Sequence, residues 1–558
     1  MADPLKPLIV QSDGTLLLDV HAPLFGEARD QIALFSELEK SPEHIHTYRL
    51  SPLSLWNAAS AGVEESQITH VLTKYSRYPI PRNILVSIAE ILGRYGKLRL
   101  LPTEDEEILL LEVGSETLRK ELITSKRITS MLTETKEGFL VDLVDRGTLK
   151  QELIRVGYPI TDEAPLVAGD QLDIELIEIS RAGKAFKPRE YQIEAMEAFS
   201  GLDVPGTGFG TVVLPCGSGK TIIGLAIMAR LQTNTLIITP NVAAVHQWMD
   251  EILDKTTIPV EALGEYTGDR KEVKPVTVAT YSILVWRDSR EQSYPHFRLF
   301  RERNWGLIIY DEVHLLPAPV FRVTAELQAV RRLGLTATLV REDGREEDVF
   351  ALVGPKRYDV PWKELEVKGW IAEAHCIEIR VSLPKHLDIS YAVADRRQKF
   401  RIASENPLKD PIVEQIIANH PEEGILIIGQ YLDQLRRLAA KIEAPIITGK
   451  TPNSRRDELY QAFREGRIRI LVVSKVANFA IDLPDASVAI QLSGTFGSRQ
   501  EEAQRLGRIL RPKEKNAYFY SLVSRFTNEE RFAANRQKFL TEQGYEYAIE
   551  IWDEEELK

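Results

Sequence analysis

Two parallel, doubly wound α/β domains are the fold class that this 558-residue sequence predicts, preceded by a helical module and a small α+β domain. Three observations point to it. From Phe186 short apolar strands alternate with helix-like stretches for about 170 residues, as at 235–239, 276–280, 306–310 and 333–336, the pattern of a parallel sheet covered by helices. A second run of the same kind begins near Ile371 and includes 424–429, 444–448, 468–474 and 488–492. Within the first run, Thr211-Val-Val-Leu-Pro-Cys-Gly-Ser-Gly-Lys-Thr-Ile-Ile-Gly224 reads as strand, Gly-rich turn and helix start.

The length is too great for one hydrophobic core and suits about three to five domains. With 44% apolar and 27% charged residues, the composition is that of a globular chain. No apolar run reaches the length of a membrane span, and no basic-then-apolar leader opens the chain. Cys216 and Cys376 have no CxxC spacing, which fits a reducing cytoplasm and no structural zinc. A net charge of −12 argues against a basic DNA-coating protein but allows a nucleic-acid enzyme with a basic groove.

In chain order, residues 7–20 alternate strand, Ser-Asp-Gly turn and strand. Ser51 is a helix cap and Pro52 the first helical position, with Leu55, Trp56 and Ala59 on the helix and Gly62 as its stop. Helical patterns at 64–75 and 81–94 complete a mostly helical module over 1–105, and the acidic 104–107 stretch reads as a linker. Residues 106–182 form the small α+β domain around a helix-like 147–156. The α/β domains follow at 183–355 and 356–558, the second interrupted by a polar insertion at about 384–407.

The Gly-rich turn is a phosphate loop. Pro215, Cys216, Gly217, Ser218 and Gly219 offer backbone N–H groups to ATP phosphates, Lys220 reaches the β/γ oxygens, and the Thr221 hydroxyl suits Mg²⁺. Leu214 stands where the full motif has a glycine, so the loop is a variant. Ninety residues on, an apolar strand ends in Asp311-Glu312-Val313-His314, placing two carboxylates at the carboxyl edge of a parallel sheet. Asp311 is placed to hold Mg²⁺ and Glu312 to polarise the attacking water. Upstream, Arg189-Glu-Tyr-Gln192 supplies an amide able to pair with adenine. Downstream, Thr336 and Thr338 end a strand with two hydroxyls, which with His314 suit them to link the nucleotide site to a neighbouring groove. In the second α/β run, Arg508 and Arg511 share a helix face with Gln504 one turn back, the equipment of an arginine finger. Asp482 stands in a loop of that half. In the insertion, Arg396, Arg397, Lys399 and Arg401 lie close to Tyr391 and Phe400, a combination suited to a single-stranded nucleic acid.

In this order the motifs of residues 186–525 resemble a superfamily 2 helicase, with two RecA-like domains. The closer resemblance is to the XPB family, the xeroderma pigmentosum group B helicases of DNA repair and transcription. It rests on Pro215-Cys-Gly217, Asp311-Glu-Val-His314, Arg341-Glu342-Asp343, Gly354-Pro-Lys356, Ser474-Lys-Val476, Asp482-Leu-Pro-Asp-Ala486 and the 497–511 stretch. Tyr48-Arg-Leu-Ser-Pro-Leu-Ser-Leu-Trp56 extends it into the N-terminal region. The resemblance implies an ATP- and Mg²⁺-dependent DNA helicase or translocase running 3′ to 5′ on single-stranded and forked DNA. It also implies a damage-recognition-like role for 108–180, a thumb-like insertion, and a loop at Arg341, Glu342 and Asp343 that acts at the fork. Eukaryotic members have Gly-Asp where this chain has Ala477-Asn478, and the long charged extensions are missing, so a prokaryotic, cytoplasmic member is expected. Two other readings stay open: a duplex translocase that separates no strands, and a DNA-bound scaffold whose ATPase places a partner such as a nuclease.

Overall fold

The computed structural model describes the whole chain except residues 1–2, 4, 41–43, 106, 182, 202–205, 216, 289–293, 318, 321–323, 325–326, 329, 338–345, 361, 371, 475–485, 494–515, 543–544, 546 and 553–558. Two compact units divide it: residues 1–39, 43–213 and 219–359 form one, and residues 40–42, 214–218 and 360–558 the other. No helix among the described residues is long and apolar enough to cross a membrane.

The N-terminal module is more than a helical bundle. Strands Leu8–Val10, Thr15–Asp19, Ile45–Arg49 and Glu37–Lys40 form a four-stranded sheet in that order, beside helices Phe25–Ile32, Pro52–Ser60, Glu65–Tyr75 and Arg82–Arg94. The module is mostly helical, as expected, but the sequence reading misses two of its strands because Glu37–Lys40 and Ile45–Arg49 bury Leu38, His46 and Tyr48 among polar neighbours. Alternation that short carries little signal. Ser51 and Pro52 do start a helix: the Ser51 hydroxyl accepts from the Ser54 N–H at 3.0 Å, and Ser54 returns the bond to the Ser51 N–H.

The small α+β domain is a five-stranded sheet of Thr133–Glu134, Phe139–Asp142, Ile108–Val113, Leu98–Pro102 and Ile160–Asp162. Helix Arg146–Arg155 contributes the fully buried Leu149 and Leu153 to its core. The break expected near 105 is in fact a hairpin turn, since Leu98 pairs with Val113 and Pro102 with Leu109. The sheet therefore begins at Leu98, ahead of the acidic stretch.

The first α/β sheet has seven parallel strands. Across it lie Leu263–Tyr266, Val276–Thr280, Thr235–Thr239, Leu307–Asp311, Arg331–Thr336, Phe209–Val213 and Lys356–Asp359. Counted along the chain, that order is 3-4-2-5-6-1-7. Strands such as Thr235–Thr239 are buried at every residue, as a sheet with helices on both faces requires. In the register, Val213 stands opposite Thr336 and Leu335 opposite Asp311. Three strand ends that carry the motifs thus fall side by side on one edge.

The second unit repeats the plan. Ile446–Ile447, Ile470–Ser474, Gly424–Gly429, Ala486–Gln491, Ala517–Ser524, Ala374–Val381 and Tyr547–Trp552 pair in parallel, again in the order 3-4-2-5-6-1-7. The insertion is a helical hairpin, Lys385–Val393 and Arg396–Ser404, placed directly after the first strand of this sheet. Its second helix is anchored by Phe400, Ala403 and Ser404, all fully buried.

Candidate active site

Strand Phe209–Val213 runs through the phosphate loop into helix Lys220–Leu231. Gly217 and Gly219 adopt left-handed conformations, φ 82° and 79°, that a side chain would strain. The turn is closed by Ser218, whose N–H and hydroxyl both donate to the Pro215 carbonyl, at 3.3 and 2.7 Å. No described side chain caps the helix, so its first N–H groups face the loop's concavity, where an anion is favoured. A Cβ on Gly219 would stand 2.7 Å from the Gln192 amide nitrogen, so this glycine also admits Gln192 to the loop.

The acidic pair comes next along the same edge. Strand Leu307–Asp311 delivers Asp311, and Glu312 follows in a left-handed turn with φ 49°. Such a backbone is costly for a residue with a Cβ and persists where its surroundings fix it. The Lys220 ammonium lies 3.6 Å from Glu312 Oε1, so the two predicted catalytic side chains meet. His314 Nδ1 is 2.6 Å from the Thr336 hydroxyl and 3.5 Å from Glu312 Oε2. The expected linking residues His314 and Thr336 are therefore in direct contact with each other.

Electrostatics separate the two carboxyls. Burial pushes Asp311 upward, and the neighbouring Glu312 charge adds to the effect against an N–H from Trp248 and the Lys220 ammonium. Burial acts upward on Glu312 as well, but Lys220, His314 and the Ala337 N–H together hold it below the usual carboxylate range. Glu312 is thus the more readily ionised of the two, and Asp311 a carboxyl whose charge is short of compensation. Mg²⁺ fits that demand: a half-buried strand-end carboxylate and one hydroxyl, Thr221, are the few protein ligands such an ion takes beside phosphate oxygens.

Two residues that the sequence does not single out shape this site. Trp248, on helix Val242–Lys255, donates its indole N–H to Asp311 Oδ2 at 3.0 Å. Tyr281 donates its hydroxyl to the Asp311 carbonyl at 3.0 Å. The ring of Trp248 reaches Asp311 across Gly224, where a Cβ would come within 2.6 Å of it. Gly224, a glycine inside a helix, was the available signal.

Gln192 is buried. Its oxygen accepts the Arg189 N–H at 2.8 Å, and its amide nitrogen lies 3.4 Å from the Gly219 carbonyl. Arg189 extends to the Tyr191 hydroxyl at 3.3 Å. The amide braces the phosphate loop here, so pairing with adenine requires it to exchange these bonds. Cys216, Thr338, Arg341, Glu342, Asp343, Asp482, Gln504, Arg508 and Arg511 lie outside the described residues.

In the insertion, Asp395 caps helix Arg396–Ser404 by accepting from the Arg397 and Gln398 N–H groups. Arg396 and Arg397 are exposed, and the Lys399 ammonium sits 5.6 Å over the Tyr391 ring. Arg401 is engaged by Glu405 at 2.7 Å and Asp433 at 3.2 Å, and Phe400 is core. Neither Phe400 nor Tyr391, whose hydroxyl accepts the Asn528 N–H, is an open stacking platform in this arrangement.

A phosphate loop, a strand-end acidic pair and a His–Thr contact on one edge of the first of two like-ordered parallel sheets define a nucleotide-hydrolysing motor of the helicase class. Comparison with known proteins gives the family. Residues 365–556 match the ERCC3/RAD25/XPB C-terminal helicase family, and residues 185–341 the family described as type III restriction enzyme, res subunit. Residues 8–137 match a family described as helicase conserved C-terminal domain. The chain is 51% identical over 97% of its length to the DNA 3′-5′ helicase XPB of Kineococcus radiotolerans, covering 96% of that protein. It is 49% identical over 98% to the same-named protein of Mycobacterium tuberculosis, covering 98% of that protein. With the XPB subunit of the general transcription and DNA repair factor IIH of Enterocytozoon bieneusi it shares 34% identity over 97% of its length, covering 92% of that subunit. The chain belongs to the XPB family of superfamily 2 helicases.

Proposed function

We propose that this protein couples ATP hydrolysis to 3′-to-5′ movement along DNA, separating strands at forks. The observation that carries the reading is the 3.6 Å approach of Lys220 to Glu312 at the edge where the phosphate loop ends. An ATP γ-phosphate arriving at the helix N-terminus competes for the Lys220 ammonium. Glu312, released from that partner, can then orient a water for in-line attack and accept its proton. Asp311 and Thr221 would hold Mg²⁺, which would supply positive charge to offset the negative charge on the phosphates. Arg508 and Arg511, with Gln504, are proposed to neutralise the transferring phosphoryl group. His314, tied to Thr336, changes its surroundings when the Glu312 charge is redirected, and this is the proposed start of the signal to the DNA groove.

DNA grip is proposed to be mostly phosphate contact, weakly sequence-specific and salt-dependent, with Arg396, Arg397 and Lys399 contributing. Arg341, Glu342 and Asp343 are proposed to act at the fork, and Asp482 in coupling. Repair or transcription is the expected setting, as in the names of the relatives. The test is ATPase and unwinding measured on forked, duplex and single-stranded DNA with RNA controls. Strong stimulation by DNA and displacement of a strand from a 3′-tailed fork are expected. Triplex displacement without strand separation would replace the helicase reading with duplex translocation, and an ATPase indifferent to DNA would overturn both.

A further inference from the structure

Inside the first compact unit, where the small α+β domain meets the first α/β domain, lies a cavity of about 170 Å³. Lys150, Thr161 and Asp162 line it from the small domain, and Phe209, Phe350 and Arg357 from the α/β domain. Its surroundings are crowded with cations. The Lys150 ammonium stands 5.1 Å over the Phe209 ring, and the Arg332 and Arg357 guanidinium carbons stand 5.3 and 5.4 Å from the same ring. Arg146 grips both oxygens of Asp162, at 3.0 and 2.8 Å, and Lys150 shares that carboxylate at 2.9 Å.

Among the described residues, Asp162 is the one carboxylate to which any of these four cations is hydrogen-bonded. Four positive charges thus face one negative charge in a place where Arg146, Lys150, Asp162 and Arg332 are all at most 5% exposed. Buried charge in excess is unfavourable unless something neutralises it. The strain on the charges is visible in Lys150, which burial brings down to about 8, with Arg332 and Arg146 acting the same way against Asp162. Burial likewise brings Arg332 down to about 10, helped by Arg146.

Donor capacity is also left over. Thr161, which lines the cavity, and Arg332, behind its wall, each carry a buried polar atom, Oγ1 and Nη2, with no hydrogen-bond partner. Lys150 commits two of its three N–H donors, to Asp162 and to Gln328 Oε1 at 2.8 Å. Arg357 gives Nε and Nη2 to the Phe209 and Gly206 carbonyls, which leaves Nη1. The partly exposed Thr161, Gly206 and Arg357 give the cavity a mouth.

We propose that this cavity binds a compact oxyanion of the sulfate or phosphate type, held by Lys150 and Arg357 with Thr161 as a hydroxyl donor. The volume admits one tetrahedral anion with a few waters, each water taking about 30 Å³. Bound there, the anion bridges the small domain to the α/β domain and stiffens the join between them.

Sulfate is the probe, because it does not titrate near neutral pH. The full-length Lys220→Ala protein is titrated calorimetrically with sodium sulfate at ionic strength fixed by chloride, so that the phosphate loop, left with its backbone N–H groups alone, competes less. One saturable site is expected. Thr161→Val should weaken it several-fold, Lys150→Gln about tenfold as a charge-assisted bond is lost, and Ala351→Leu, which fills the cavity from the Phe350 side, should abolish it. At pH 8, binding should take up a fraction of a proton as the anion restores the charge of Lys150, whose charged neighbours are Asp162, Arg146, Arg332 and Arg357. Should Lys150→Gln fail to fold, Thr161→Val and Ala351→Leu decide the matter. Absence of a saturable site, or a site unchanged in those two variants, overturns the proposal.

Discussion

After its first strand, each seven-stranded sheet uses the chain differently. In the first sheet, Phe209–Val213 leads through a turn with two left-handed glycines into helix Lys220–Leu231. In the second, Ala374–Val381 leads into the Lys385–Val393 and Arg396–Ser404 hairpin before helix Lys409–Asn419 resumes the pattern. The strand order is the same, 3-4-2-5-6-1-7. Topology therefore supplies the edge, and the residues after the first strand decide what the edge does. Cations are treated differently as well. In the second unit Lys409 is fully buried, yet both Glu529 oxygens and the Leu492 carbonyl accept from it, at 2.8 to 3.0 Å. In the first unit Lys220 approaches the Glu312 carboxylate at 3.6 Å, a looser arrangement that a phosphate can displace.

The largest expected effect is on the side with the phosphate loop. Lys220→Ala should lower ATP turnover by about 10³-fold, the scale for losing a charge aimed at the transition state. DNA affinity should stay within a few-fold of wild type by fluorescence anisotropy. Turnover near the wild-type rate would remove the functional distinction between the two sheets.

Glu312→Gln should come next, with loss of about 10²-fold or more in turnover, because an amide cannot take a proton. ATP should still bind, as measured with a fluorescent analogue. Equal loss of binding would instead make Glu312 part of the structural frame around Lys220.

Trp248→Phe keeps most of the ring and removes the N–H that reaches Asp311. A hydrogen bond to a charged group is worth about 2 kcal/mol, so turnover should fall roughly 30-fold while the thermal midpoint moves little. A large stability loss with turnover intact would make Trp248 a core residue only.

These expectations differ in how far the sequence disclosed them. Lys220, Asp311 and Glu312 were legible because a strand, a Gly-rich turn and a second strand ending in Asp-Glu fix their neighbours in order. The register that sets Leu335 opposite Asp311 and Thr336 opposite Val213 then follows from parallel pairing. Trp248 was not legible, since Val245, Trp248 and Ile252 at helical spacing read as an ordinary buried face. Only the third dimension brings the indole nitrogen to a carboxylate 63 residues away. Arg146 and Lys150, in a helix of polar appearance, gave no sign of burial for the same reason: Asp162 and Gln328 reach them from distant strands and loops. The insertion misled in the opposite direction. Its dense charge over 391–401 does stand exposed at Arg396 and Arg397, but the fully buried Phe400 anchors the helix rather than offering a ring to a base.

That correction sharpens the smallest of the expected effects, which lies on the second sheet. Arg401 already has Glu405 and Asp433 as partners, so its removal should cost DNA binding little. Arg396 and Arg397 point their charge into solvent from a helix start, and Lys399 rests over Tyr391 with its stem on the surface. Replacing these three by alanine should weaken single-stranded DNA binding and flatten the slope of log affinity against log salt by about 2, roughly 0.7 for each phosphate that the protein no longer neutralises. ATPase measured without DNA should persist, because no residue of the hairpin belongs to the phosphate-loop edge. The comparison with Arg401→Ala is the decisive control. If the triple variant and the single variant leave the salt slope equally unchanged, the hairpin is a packed ornament on the second sheet. If the triple alone flattens it, the position that holds the nucleotide in one sheet holds nucleic acid in the other.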